Sequence, residues 1–386
     1  MLLVARMRIG KQNHFRLMKR IILSGGGTGG HIYPAVAVAE ALVRKFGDDV
    51  ELLFVGAEGK MEMEKVPALG YRIEGLPVAG LQRRLSLHNL ALPFKVAASV
   101  RRAKRIIRDF RADMVVGFGG YASAPVLWAA QRLRVPTIIQ EQNSFAGLTN
   151  KILSKRAKRI CVSYDRMERF FPAERIVMTG NPLRGRFSAE GSDRSEALAY
   201  YGFDASLPTV LVVGGSLGTR TLNEMMKAWI ATLDGKAPVQ VIWQTGKYYE
   251  REMQHYLAEH PTENIWQGAF IERMDYAYAA ADVVISRSGA CTVSELCLVA
   301  KPTIFVPSPN VAEDHQTKNA MALVEKGAAE IVRDSEAVAC GMQRALDLVF
   351  DKERLASLRE NIAKLAIDDS AERVVREIES VLNTKN

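Results

Sequence analysis

The sequence predicts an α/β protein built from two parallel-sheet domains, and three observations carry that prediction. Short apolar, β-branched runs alternate with amphipathic segments through most of the 386 residues. That is the pattern of βα units, whose parallel sheet is covered on both faces. The pattern breaks once, at GNPLRGRFSAEGSDRS (180–195), rich in Gly, Ser and charge, and then resumes. Each half opens alike, with an apolar strand running into a glycine turn and a helix: RIILSGGGTGGHIYP (20–34) and TVLVVGGSLGTR (209–220). Open parallel sheets bind ligands beyond the carboxyl ends of their strands. Two such domains face to face would enclose a cleft walled by both glycine turns.

In the first half, strands are expected at Arg20–Ser24, Glu51–Val55, Arg72–Leu76, Met114–Gly117, Thr137–Gln140 and Arg159–Val162. Helices are expected at Ala35–Lys45, Met61–Leu69, Leu87–Phe110, Ala124–Leu133 and Gly147–Ser154. The first turn holds five glycines in six positions, Gly25 to Gly30, interrupted only by Thr28. One tight turn needs one or two; the excess lets a ligand approach the main chain, beside a helix N-terminus suited to a phosphate. His31 places a titratable group there. GGGTGG also matches the dinucleotide fingerprint formally, which asks for an acid after the next strand; Glu58 keeps that reading open. VVGFGGYASAP (115–125) is a second strand–turn–helix, read as either a phosphate cradle or a packing turn. Gln140, Glu141, Gln142 and Asn143 follow a buried strand and read as a binding edge or as a helix-capping loop.

In the second half, the turn Gly214–Gly218 offers backbone N–H groups with Ser216 and Arg220, a diphosphate site on physical grounds. Strands are expected at Gln240–Gln244, Asp282–Ser286, Thr303–Val306 and Glu330–Val332. ISRSGACTVSEL (285–296) places Glu295 within the first turns of a helix. Its carboxylate can accept from both hydroxyls of a ribose, or serve only the helix dipole. VPSPNVAEDHQTKNA (306–320) ends a strand and gathers Glu313, Asp314, His315, Gln316 and Asn319 at another helix start.

Composition removes several classes. Hydrophobic residues make up 48% and charged residues 25% of the chain, which is globular. No apolar run approaches a transmembrane length. Residues 1–17 lack the apolar core of a signal peptide and are expected to be an extension, disordered or upstream of the true start. Four scattered cysteines without a C-x-x-C pair point to a reducing compartment and away from zinc. The net charge of +9 favours an anionic partner. It concentrates in residues 81–111, where Lys and Arg alternate with Leu and Phe and Asp109 is the sole acid. That stretch reads either as a membrane-interface element or as a solvated helix face. No nucleic-acid motif accompanies it. No acidic pair stands where a metal–diphosphate bridge is expected, so no cofactor is expected, a divalent cation staying open without a ligand set.

Seven ordered segments, GGGTGGHIYP, GFGGYASAP, EQNSFAGLTNK, GNPLR, GGSLG, GACTVSEL and EDHQTKNA, resemble the MurG family of bacterial peptidoglycan N-acetylglucosaminyltransferases. The resemblance implies a GT-B fold of two Rossmann-like domains facing a central cleft. It places an acceptor- and membrane-facing domain at 18–181, a UDP-GlcNAc-binding domain at 182–368, and a helix at 369–386 that packs back on the first. It implies inverting transfer of GlcNAc from UDP-GlcNAc to the C4 hydroxyl of lipid I, giving lipid II, at the cytoplasmic face of the inner membrane. By the same resemblance, Thr28, Gly29 and Gly30 lie near the donor sugar and acceptor diphosphate, and His31 is the candidate base, with loop orientation or phosphate binding as its other reading. Asn143 and Gln316 would contact the sugar, Arg184 and Ser216 the donor diphosphate, and the Ile271 backbone the uracil. Ala290, Cys291, Thr292, Val293, Ser294 and Glu295 would surround the nucleoside, with Glu295 on the ribose. Gly119, Gly120 and Tyr121 would face the acceptor. Arg83 and Arg84 are expected to dock an anionic membrane surface. Leu217, Ala124 and Ser288 depart from the family's usual Gln, Gly and Ala; Ser288 is expected to be harmless. Competing readings are another GT-B transferase, a UDP-GlcNAc 2-epimerase, and a sugar-nucleotide sensor without turnover.

Overall fold

A computed structural model describes residues 18–78, 92–120, 122–185 and 192–384. The first domain has a seven-stranded parallel sheet in the order β3-β2-β1-β4-β5-β6-β7. Its strands are β1 (Lys19–Ser24), β2 (Val50–Ala57), β3 (Ile73–Leu76), β4 (Met114–Gly117), β5 (Thr137–Glu141), β6 (Arg159–Val162) and β7 (Ile176–Met178). Five helices connect them: α1 (Gly29–Phe46), α2 (Glu62–Ala68), α3 (Leu92–Asp109), α4 (Ser123–Arg132) and α5 (Leu148–Ser154). The second domain begins with α6 (Arg194–Tyr201), capped by Asp193, whose side chain accepts from the N–H groups of Ser195 and Glu196. Its six-stranded parallel sheet runs β10-β9-β8-β11-β12-β13. Those strands are β8 (Thr209–Val213), β9 (Lys236–Gln244), β10 (Glu263–Gly268), β11 (Val283–Ser286), β12 (Thr303–Phe305) and β13 (Glu330–Ile331). The helices are α7 (Arg220–Ile230), α8 (Glu250–Glu259), α9 (Met274–Ala280), α10 (Ala290–Leu298), α11 (His315–Val324), α12 (Asp334–Phe350), α13 (Lys352–Ala363) and α14 (Ser370–Asn383).

The inner strands are buried on both faces, so Ile21, Ile22 and Leu23 are all fully enclosed, as are Val210, Leu211 and Val212. Alternate residues feed separate cores: Ile21 and Leu23 join one cluster, Ile22 and Val115 the other. α14 closes the first of these cores from the far end of the chain. Val374, Val375, Ile378 and Val381 pack with Val38 and Leu42 of α1, and Arg159 pairs with Glu377 at 3.0 Å.

In both sheets the strand order reverses direction beside the first strand, between β1 and β4 and between β8 and β11. These are the crevices where open α/β sheets bind ligands, and the glycine turns open there. Three expectations need correction. α1 starts at Gly29 rather than Ala35, which places His31 inside the first helical turn. The sheets also contain β7 and β10, and β9 begins at Lys236, well before Gln240. α6 occupies part of the stretch read as linker.

Candidate functional site

In the first crevice, the turns after β1 and β4 touch through glycines. Gly119 and Gly120 have φ of +88° and +82°, and a Cβ on Gly120 would stand 2.1 Å from the Gly26 carbonyl oxygen. Only glycine fits both the conformation and the approach. A Cβ on Gly119 would lie 3.0 Å from the His31 ring. Thr28 is the residue before α1 and makes no side-chain cap. The first turn of α1, from Gly29 and Gly30, therefore presents N–H groups without intrahelical partners. Pro34 has no N–H to give the carbonyl of Gly30. That oxygen instead faces Cys291 Sγ of the second domain at 3.9 Å.

His31 Nδ1 lies 3.0 Å from Gly26 O and 3.2 Å from Thr28 Oγ1. A carbonyl only accepts, so Nδ1 carries the proton and Nε2 keeps its lone pair. Burial holds the imidazole pKa below its ordinary value; the Gly26 bond opposes this, His315 adds to it, and the charge of Glu62 opposes it. At neutral pH His31 is an uncharged base.

The edge after β5 is a buried polar network. Glu141 is enclosed and accepts from Asn143 N at 3.1 Å, Gly147 N at 3.3 Å and Asn150 Nδ2 at 2.8 Å, which shapes the turn. Burial pushes its carboxyl pKa up, against those bonds. Asn143 Oδ1 accepts from Asn319 Nδ2 at 3.1 Å, and Asn319 Oδ1 accepts from Ser144 N at 2.9 Å. Asn319 belongs to α11, so these bonds cross the cleft. Asn181 crosses it too, donating to Gln142 O at 3.1 Å and to Ser294 Oγ at 3.0 Å while accepting from Gln140 Nε2 at 3.2 Å.

In the second domain, Gly215 N donates to Gln244 Oε1 at 3.1 Å, which fixes the turn that carries the exposed Ser216 ahead of α7. A hollow of about 430 Å³ opens there, lined among others by Gly218, Arg220, Arg287 and Gln316. Gln316 Oε1 accepts from Ser308 N at 2.9 Å, and its own carbonyl accepts from Ser288 Oγ at 2.9 Å. Ser288 thus adds a bond an alanine would lack. Residues Ala290 to Glu295 form the N-terminal part of α10. The side chains of Val293 and Ile271 are buried in the core, so a ligand would meet only their backbone. Glu295 Oε2 accepts from Tyr278 OH at 3.3 Å, and burial pushes its pKa up to about 7. Leu217 is 56% exposed in the turn.

The structure brings Thr28, Gly29, Gly30, His31, Asn143, Cys291 and Ser294 to one cleft. Arg184 pairs with Glu40 of α1 at 3.3 Å, so to hold a diphosphate it must leave or share that acid. Glu58 is paired with Arg102 at 2.6 Å. Arg83, Arg84 and Tyr121 lie outside the described residues. Among the described residues, no group of three or more His, Cys, Asp or Glu side chains could hold a metal ion. Sequence reasoning assigned no role to Glu62, Asn181 or Asn319; the last two stand inside GNPLR and EDHQTKNA, and Glu62 has no motif.

Residues 21–162 match the glycosyltransferase family 28 N-terminal domain and residues 209–374 its C-terminal domain. The chain is 52% identical over 366 residues, 95% of its length and 99% of the relative's, to the UDP-N-acetylglucosamine–N-acetylmuramyl-(pentapeptide) pyrophosphoryl-undecaprenol N-acetylglucosamine transferase of Parabacteroides distasonis. The crystal structure of MurG from Acinetobacter baumannii superposes with a TM-score of 0.74 at 30% identity, covering 94% of this chain and 99% of that one. The calicheamicin glycosyltransferase CalG4 superposes with a TM-score of 0.69 at 16% identity, covering 95% and 99%, a likeness of fold alone.

Proposed function

This chain belongs to glycosyltransferase family 28, and from that premise we propose that it moves GlcNAc from UDP-GlcNAc to the C4 hydroxyl of the muramoyl sugar of lipid I, forming lipid II for peptidoglycan. The observation that carries the reading is the cleft itself. A neutral His31 stands beside the first-turn N–H groups of α1 on one wall; from the other domain Cys291 of α10 faces the Gly30 carbonyl, and the turn before α7 opens a hollow lined by Arg220 and Gln316.

The reaction is a single displacement with inversion. The acceptor oxygen attacks C1 of GlcNAc from the face opposite UDP, and the C1–O bond to the β-phosphate breaks with its electrons. The acceptor's proton passes to His31 Nε2, a transfer worth about 10²–10⁴ in rate. Charge growing on UDP meets the N-terminus of α7 and the turn before it. Glu295 accepts from the ribose diol, Asn143 and Gln316 hold the sugar, and the N-terminus of α1 receives the acceptor diphosphate.

The acceptor's lipid requires a membrane, and among the described residues no helix is long and apolar enough to cross one. We place the protein peripherally at the inner leaflet. α4 packs between α3 and α5, and the three carry an exposed mixed face. Leu148 and Ile152 are 74% and 60% exposed, and Lys104 and Arg132 lie over the ring of the partly exposed Trp128 at 5.7 and 4.7 Å. Apolar side chains ringed by cations suit an anionic surface.

The test is a transfer assay with radiolabelled UDP-GlcNAc and a short-chain lipid I analogue. Label in a disaccharide lipid supports the reading. No label, with UDP bound tightly, overturns the acceptor and leaves the donor half standing.

A further inference from the structure

Glu62, the first residue of α2, has had no part in the reaction so far. Its side chain is fully buried, a rare place for a carboxylate. Oε2 accepts from Gly27 N and Oε1 from Ala57 N, each at 3.0 Å. One side chain thus ties the end of β2 to the first glycine turn. The glycines around it leave room: a Cβ on Gly26 would stand 2.1 Å from Oε1, and one on Gly56 2.5 Å from Cγ.

Gly27 N and Gly26 O belong to the same peptide group. That oxygen accepts the His31 Nδ1 proton at 3.0 Å. A single peptide plane therefore links the Glu62 carboxylate to the imidazole, and hydrogen bonds in such a chain polarise one another. The second domain ties its own turn with a neutral amide, Gln244 to Gly215 N at 3.1 Å. Holding a glycine turn does not need a charge, and of these two turns the one that carries the histidine is held by a carboxylate.

We infer that Glu62 is the positioning residue for His31: acting through the Gly26–Gly27 peptide, its carboxylate holds the ring as the Nδ1–H tautomer and stabilises the imidazolium formed when Nε2 takes the acceptor's proton. The inference rests on His31 as the base. Among the described residues, the charged or titratable groups facing His31 are Glu62 from α2, which favours the charged ring, and His315 from α11, which opposes it.

Glu62→Gln keeps the shape, removes the charge and turns one acceptor oxygen into a donor facing a backbone N–H. The expected result is a kcat at least tenfold lower, UDP affinity within twofold of the parent, and an acid limb of the pH–rate profile moved to lower pH. With selective ¹⁵N labelling of the six histidines, the His31 signals should lose their Nδ1–H character. An unchanged tautomer and an unmoved limb overturn the inference whatever kcat does. If Glu62→Gln does not fold, Gly26→Ala, whose Cβ displaces the carboxylate, is read the same way. His31→Ala separates the two readings: full activity there removes the base, while the tautomer in Glu62→Gln still decides the role of Glu62.

Discussion

Replacing His31 by Ala is expected to lower kcat by about 10²–10⁴, the usual worth of a general base, and to leave UDP binding unchanged, because the proposed nucleotide site lies on the other domain. The pH dependence follows from the sign of the shift. Burial lowers the His31 pKa, so the base stays neutral from pH 7 down to below its ordinary value, and kcat should fall only under that point. Glu295 behaves oppositely, since its pKa is pushed up to about 7. In the free protein it is largely protonated at pH 6 and loses acceptor capacity for the ribose. UDP affinity should therefore rise about tenfold per unit as pH climbs toward 7 and level off above it; in Glu295→Gln a calorimetric titration should show no such slope. Both residues stand out in the sequence because each follows a strand and a small-residue turn at the start of a helix. Glu62 was not, since one acid on an amphipathic helix has no period or motif, and only the fold reveals that it points inward to two backbone N–H groups.

Elements were legible wherever an apolar run was long enough to show its period. The inner strands and α4 fall close to where their patterns place them. β7, with three half-buried residues, and β10, at a sheet edge with an exposed Glu263 followed by five half-buried residues, carry no clear alternation. α1 was misplaced because Pro34 reads as a boundary, whereas the helix runs through it and leaves the Gly30 carbonyl to the cleft. α14 illustrates an element whose worth lies in its partner. Ile378 is fully buried against α1, and Ile378→Ala should cost about 2–5 kcal/mol, read as a lower urea midpoint. α5 makes the converse case: Leu148 and Ile152 are exposed, so Leu148→Asp with Ile152→Asp should leave that midpoint nearly unchanged. The same variant should bind anionic vesicles several-fold more weakly at low salt. Unaltered vesicle binding would move the docking face elsewhere.

At the scale of the molecule, catalysis requires two domains to meet, and the cleft is already bridged by buried polar groups. Asn319 is the centre of this bridge. It is fully enclosed, accepts from Ser144 N, and donates to Asn143 Oδ1 at 3.1 Å and to Ser288 O at 3.3 Å. Lys318 adds a further contact across the cleft, its Nζ 3.3 Å from the centroid of the Phe145 ring. Polar rather than apolar closure suits a cleft that must open to release UDP, because each bond broken on opening is replaced by one to water, so the net cost is small. Asn319→Ala takes its partner from the Ser144 N–H and from Asn143 Oδ1, both on the first domain, only while the cleft stays closed. The penalty, about 1–3 kcal/mol, therefore falls on the closed form alone. A binding-competent state that is less populated raises the apparent dissociation constant in proportion. Asn319→Ala should raise the KM for UDP-GlcNAc roughly 5- to 150-fold, the span of such a coupling energy, with a much smaller change in kcat at saturating donor. Small-angle scattering should show a larger radius of gyration in the free variant that returns to the parent value when UDP-GlcNAc is added. A variant whose melting temperature drops while its KM and scattering match the parent would make Asn319 a packing residue and move the control of closure to Asn181.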